Sequence, residues 1–174
     1  MVYIMGGAFD VPGNIALSNV GIDNSVAEWN VFIDPHAAAV VLKSGIPVTF
    51  VPLDATNQSP ITEDFYNRLG KERSTPAAEF IYRLLTRQVD LIRAGLYWFW
   101  DPLTAVISTD ESLGAFAERP VTVVEEEGSE SGATRVTENG SPVRITTTVD
   151  PQRFETLFLG VLNGRFYDTP DPIQ

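Results

Sequence analysis

The chain opens on an apolar strand, Met1-Val-Tyr-Ile-Met5, that runs directly into Gly6-Gly7-Ala8-Phe9-Asp10. A strand ending in a Gly-Gly turn followed by polar residues is how an α/β sheet delivers side chains to a crevice at the carboxyl ends of its strands. No strand-helix unit precedes it. The expectation is therefore a strand from within a sheet, carrying the second part of a site whose first part is encoded elsewhere or lost.

The next elements fit that sheet. Residues Gly6 to Asn30 read as a long loop in which Val11-Pro12-Gly13-Asn14 is a turn signature, and a connection this long in a compact domain is often functional. Asp34-Pro35 starts a helix, with Asp as cap, Pro at the first helical position, an Ala/Val/Leu run and Ser44-Gly45 as the stop. Pro47-Val-Thr-Phe-Val51 is a short apolar strand of the kind buried in a parallel sheet. Strand, helix, strand makes a βαβ unit.

Beyond it, Thr62-Glu63-Asp64 opens a helix closed by Gly70, and Ser74-Thr75-Pro76 opens a longer one. Phe80, Ile81, Leu84, Leu85, Val89 and Ile92 recur at helical spacing there, which predicts a stripe packed into the core. Leu96-Tyr-Trp-Phe-Trp100 meets Asp101-Pro102, a second Asp-Pro helix start. Pro120 to Val124 and Arg144 to Val149 are β-branched strand runs, and Asn139-Gly140 between them is a hairpin signal. Asp150-Pro151 caps a last amphipathic helix with Phe154, Leu157, Phe158 and Val161. The class is α/β with a late antiparallel hairpin.

Composition narrows the chemistry. Twelve Lys+Arg against 23 Asp+Glu give a formal charge of -11, which argues against nucleic acid or an anionic membrane as partner. Glu125-Glu126-Glu127 and Glu130 read as a solvated acidic loop. Without cysteine there are no disulfides, thiolates or Cys-based zinc sites, and the lone His36 cannot make a His-based metal site. No segment reaches the ~18 apolar residues of a membrane span. A secretory signal is absent from the residues in hand, and a cytoplasmic location is the expectation.

Two constellations can carry chemistry. Asp34, Asp101 and Asp150 each begin a helix, and a capping aspartate contributes ~1 kcal/mol without any catalytic role. Asp150 reads as a cap. Asp101 differs because four aromatic residues precede it, a setting that suits either a cap or a carboxylate holding a cation or hydroxyls beneath a stacked ring. Asn14, Glu28 and Asn30 form the second group, an amide and carboxylate set able to bind several vicinal hydroxyls, as a sugar requires.

The strings Ile4-Met-Gly-Gly-Ala8, Gly13-Asn14, Ala27-Glu-Trp-Asn-Val-Phe-Ile-Asp-Pro35, Val51-Pro-Leu-Asp54 and Trp100-Asp-Pro-Leu103 resemble, in order, the C-terminal half of an inosine/uridine-type nucleoside hydrolase. The resemblance covers nearly the whole chain. It implies the C-terminal portion of a mostly parallel sheet with flanking helices, a single partial domain over residues 1–174. It also implies hydrolysis of the N-glycosidic bond of ribonucleosides to base and ribose, with Ca²⁺ binding the ribose hydroxyls and the attacking water. A hard cation of this kind takes oxygen ligands and lowers the pKa of bound water, and the transition state is oxocarbenium-like. On this resemblance Asp101 is the metal ligand. Asn14, Glu28 and Asn30 bond the ribose, and Met5 lies near the sugar.

The departures matter as much. Trp100 stands where many members have the histidine proposed to protonate the leaving base, so it either stacks on the base or packs in the core. Trp29 replaces a usual phenylalanine, His36 a usual glutamate that is expected at the surface, and the Asn14–Glu28 loop looks longer than usual. Nothing matches the family's Asp-x-Asp-x-Gly-x-Asp-Asp motif, since Asp10 and Asp23 lie in the wrong loop. Without the catalytic base, and with one carboxylate for an ion that takes six to eight oxygens, the chain is expected not to turn over nucleosides alone. The alternatives are a non-catalytic nucleoside- or ribose-binding module and a decayed fragment with an exposed apolar edge. Expected partners are a ribonucleoside or ribose, together with the missing N-terminal half or a homo-oligomer.

Overall fold

A computed structural model describes residues 1–18 and 21–165. The chain divides into two units, residues 1–59 with 100–149, and residues 60–99 with 150–165 of those described.

The first unit is built on a five-stranded sheet. Strand β1 (Val2–Met5) pairs in parallel with β2 (Val48–Val51), from Val2 opposite Val48 to Met5 opposite Val51. All four β2 residues are buried, as expected of an apolar strand covered on both faces. Between them run α1 (Trp29–Ile33) and α2 (Pro35–Lys43). Asp34 Oδ1 accepts from the Ala37 N–H at 2.8 Å, Pro35 occupies the first helical position and Gly45 turns the chain away at φ 76°. The sequence signals for this βαβ unit thus translate directly into structure. The short α3 (Leu53–Thr56) follows β2, and α7 (Trp100–Ile107) packs on β1.

The other strands form a bent ribbon. β5 (Ser141–Val149) lies parallel to β2, β3 (Gly114–Val123) runs antiparallel to β5, and β4 (Thr134–Val136) pairs with the far end of β3, giving the order β1-β2-β5-β3-β4. Pro120 faces Pro142, and a Cβ at Gly140 would lie 2.4 Å from the Val121 nitrogen. Beyond these residues the ribbon folds back over the sheet. Val121 is buried with Leu42, Val48, Phe50, Val143 and Ile145, and Val123, Ile4 and Phe9 pack on the same cluster. The hairpin loop between paired strands is therefore 124–133. Asn139-Gly140, expected to make that turn, sits in the 137–140 turn separating β4 from β5. A row of side chains ties the sheet together across β1, β2 and β5: Tyr3 donates to Glu111, and Arg144 donates to the same Oε1 at 2.9 Å.

The second unit is helical, with α4 (Glu63–Glu72), α5 (Pro76–Thr86), α6 (Val89–Arg93) and α8 (Pro151–Leu162). Thr62, Thr75 and Asp150 cap three of them as the sequence predicts. Gly70 does not end α4. It lies inside the helix, where a Cβ would approach Tyr82 Cε2 to 2.9 Å. The core is four phenylalanines, with Phe99 edge-on to Phe65 at 4.8 Å and to Phe154 at 5.0 Å, and Phe158 beside them at 5.6 Å. The expected apolar stripe is only partly buried: Leu85 and Ile92 are inside, while Phe80 and Leu84 are exposed. One reason is that the helix breaks at Arg87–Gln88, so a single face does not run from Phe80 to Ile92.

The two phenylalanines make a sharp contrast. Phe99→Ala, which empties a fully buried ring position, is expected to lower unfolding free energy by about 3–5 kcal/mol in urea titration. Phe80→Ala, at 61% exposure, should change it by no more than ~0.5 kcal/mol. Equal effects would contradict this assignment of core and surface.

Candidate functional site

The loop leaving β1 is held by its backbone. Glu28 Oε2 accepts from the Gly7 N–H at 3.2 Å. Thr134 Oγ1 accepts from Ala8 N at 3.0 Å and donates to Ala8 O at 2.8 Å. Asp54 accepts from Phe9 N at 2.9 Å and Asp10 N at 2.7 Å. Every N–H from Gly7 to Asp10 thus meets a side chain from another element, and Gly7 takes φ 83°, a conformation glycine adopts freely. The turn that ends β1 is thereby fixed before any ligand arrives.

Glu28 is the hinge of the arrangement. It is not a loop residue, as the sequence suggested, but the N-cap of α1, where Oε2 also accepts from Val31 N at 3.2 Å. Asn30 consequently lies in the first helical turn, and its Nδ2 donates to the Met5 carbonyl at 3.2 Å and contacts Met5 Sδ at 3.5 Å. Asn14 Oδ1 accepts from Trp29 N at 2.8 Å, which fixes the same helix start from the other side. Gly13 cannot be replaced at this point, because a Cβ would fall 2.1 Å from the Ala27 carbonyl oxygen. Met5, Asn14, Glu28 and Asn30 are therefore assembled at the carboxyl end of β1.

Asp101 falls in the first turn of α7 rather than capping it, on the helix that packs against β1. Its charge reaches Glu28. Burial pushes the Glu28 carboxyl above its ordinary value and the Asp101 charge adds to this, against the backbone N–H groups of Asn30, Val31 and Gly7 that lower it. Trp100, half-buried, begins the same helix beside Asp101 in sequence. His36 is at the surface, where its Nδ1 meets Glu125 Oε2 at 2.8 Å and Lys43 reaches Oε1 of the same carboxylate at 3.0 Å.

The donor set does not fit a calcium site. Among the described residues no three carboxylate or imidazole side chains come together. Glu28 Oε2 is committed to backbone N–H groups, which leaves its other oxygen and the Asp101 carboxylate. That is far short of the six to eight oxygens Ca²⁺ takes. Three further residues shape the site: Asp54, which ends one of the ordered strings but was given no role by the sequence, and Thr134 and Asn24, which carry no sequence signal for it. Asn24 caps Val26 and Ala27 through Oδ1 and donates to Ser131 O at 2.8 Å.

Because its carboxyl pKa is raised in the native state, Glu28 binds a proton more tightly folded than unfolded. Its contribution to stability is complete below the ordinary value of 4.5 and is lost as pH rises through the native value. The stability of the chain relative to Glu28→Gln, measured by urea unfolding, should fall as pH rises above 4.5; a flat difference would contradict the burial argument.

Comparisons with known proteins bear on the family and the fold. Residues 1–156 match the inosine-uridine preferring nucleoside hydrolase family. The crystal structure of an inosine-uridine preferring nucleoside hydrolase from Bacillus anthracis superposes with a TM-score of 0.81 at 29% identity, covering 94% of this chain and 51% of that one. Nucleoside hydrolase 4 of Arabidopsis thaliana is 43% identical over 88 residues, 49% of this chain and 16% of its own length. The pyrimidine-specific ribonucleoside hydrolase RihA of Shewanella sp. (strain ANA-3) is 37% identical over 84 residues, 48% of this chain and 23% of its own. The chain spans about half the length of the solved relative, and its matched segments cover less than a quarter of either curated one. With the family match extending over most of its residues and the fold shared, the chain belongs to the inosine-uridine preferring nucleoside hydrolase family.

Proposed function

We propose that this chain forms the ribose-recognition part of a ribonucleoside N-glycosidase, one partial nucleoside hydrolase domain that is catalytically silent by itself. The observation that carries the reading is the assembly of Met5, Asn14, Glu28 and Asn30 around one strand end, with the Asp101 charge beside them. In the reaction a ribonucleoside is cleaved by water to free base and ribose. Asp101 is the residue of this chain that would hold a Ca²⁺ ion in a completed site, where the ion would supply an activated water. The remaining carboxylates and the base must come from an Asp-rich segment, on the same polypeptide or a partner.

The chain's own residues have separable tasks. Asn30, oriented by Met5, presents an amide to a sugar hydroxyl. Asn14 spends its carbonyl oxygen on Trp29 and so offers its Nδ2 as a donor. Glu28 holds α1 and the Gly7 turn in register, and Asp101 supplies the acceptor for vicinal hydroxyls. Trp100 offers a face on which a base can stack. A cytoplasmic location and a homo-oligomer are compatible with this reading. A ribose- or nucleoside-binding module without catalysis is the second reading, favoured by the deficient metal donor set.

Calorimetric titration of ribose into the chain is expected to give a millimolar Kd that weakens about tenfold in Asp101→Asn. No heat at ligand concentrations up to about 20 mM would overturn ribose recognition. With inosine or uridine and added Ca²⁺, no base should be released. Measurable release would overturn catalytic silence and leave recognition intact.

A further inference from the structure

The ribbon that folds back over the sheet leaves a second concavity. Thr134, on the last strand in the sheet order, is bonded to Ala8, which follows the first, so the sheet curls until the exit loop of β1 meets β4. Between them lies a depression of about 840 Å³. That is within the ~300–1,000 Å³ range of small-molecule sites, and mouths of curled sheets are a frequent location for them. Met5, Asn14, Glu28, Asn30 and Asp101 do not line it, so it is a neighbouring concavity that shares with the site described above only the β1 exit loop, with Asp54 and Thr134.

Its lining has a definite chemistry. Phe9, Ala117 and Ile145 give it apolar surface. Asp54 also lines it, but both its oxygens already accept backbone N–H groups. Two charges remain uncommitted. The Arg119 guanidinium donates only to the neighbouring Glu118 carbonyl, at 3.0 Å, and the Asp10 carboxylate has no hydrogen bond or ion pair among the described residues. A ligand bearing one charge would satisfy one of these groups and repel the other. In a chain of formal charge -11 a simple anion is disfavoured as well.

We infer that this concavity is a binding site for a small zwitterion of the α-amino-acid type with an apolar side chain. Its carboxylate pairs with Arg119 in the planar, two-pronged geometry a guanidinium favours. Its ammonium faces Asp10, and its side chain lies over Ala117 and Ile145.

L-leucine is the probe, with 4-methylpentanoate and isopentylamine as analogues lacking the ammonium and the carboxylate. Titration of the whole chain followed by NMR should show leucine perturbing the amides of Asp10, Ala117 and Arg119, with each analogue at least about tenfold weaker. Arg119→Gln should erase the preference for leucine over isopentylamine, and Asp10→Asn the preference over 4-methylpentanoate. Both residues are exposed, so the variants test charge rather than folding. No perturbation by leucine up to about 50 mM overturns the site. Equal binding of 4-methylpentanoate or of isopentylamine by the unaltered chain overturns the zwitterion.

Discussion

Four consecutive backbone N–H groups, from Gly7 to Asp10, are each held by a side chain belonging to another element, and the first unit is organised by that constraint. A loop carrying unpaired N–H groups would need water or a ligand to satisfy them. Here Glu28, Thr134 and Asp54 do so, and each brings a different part of the chain with it. Glu28 brings α1, Thr134 brings the folded-back ribbon, and Asp54 brings the segment after β2. The crevice at the strand end and the curl of the sheet are two results of the same set of hydrogen bonds.

This has a cost for chemistry at the site. Two acceptor oxygens that look available in the sequence, Asn14 Oδ1 and Glu28 Oε2, are already committed to the backbone. What stays available is an amide on each of two asparagines, the second oxygen of Glu28 and the carboxylate of Asp101. Such a set can orient hydroxyls but cannot enclose a hard cation. The strand end therefore offers polar groups suited to hydroxyls and few ligands for a hard cation.

The parts legible in the sequence are those written locally. The Asp34 and Asp150 caps, the apolar β2 and the Gly-Gly exit of β1 each depend on residues a few positions apart, and all stand in the structure. The ribose-type residues were found through ordered strings, and the structure gathers them. Long-range features were hidden. Thr134 is 126 residues from Ala8, and nothing near Thr134 announces that partnership. Glu28 was legible as a polar residue but not as a helix cap, because a five-residue helix carries too little periodicity to register. The Phe80–Ile92 stripe misled because periodicity cannot show that a helix breaks between its members. The two runs flanking Asn139-Gly140 do pair antiparallel as β3 and β5, but the signal could not show that the short β4 is inserted between them and pairs with β3 first.

The neck between Gly13 and Ala27 has a consequence for how such a protein can change. Gly13 N donates to Ser25 O at 2.8 Å and Asn14 N to Ala27 O at 3.1 Å, so the two ends of the intervening segment are stapled together. Closure entropy grows only with the logarithm of loop length, and each doubling costs about 0.6 kcal/mol. Residues can therefore be added to or removed from the middle of that segment with little disturbance to Asn14 or Glu28. The middle of the segment is free to diversify, while the neck keeps Asn14 and Glu28 in place.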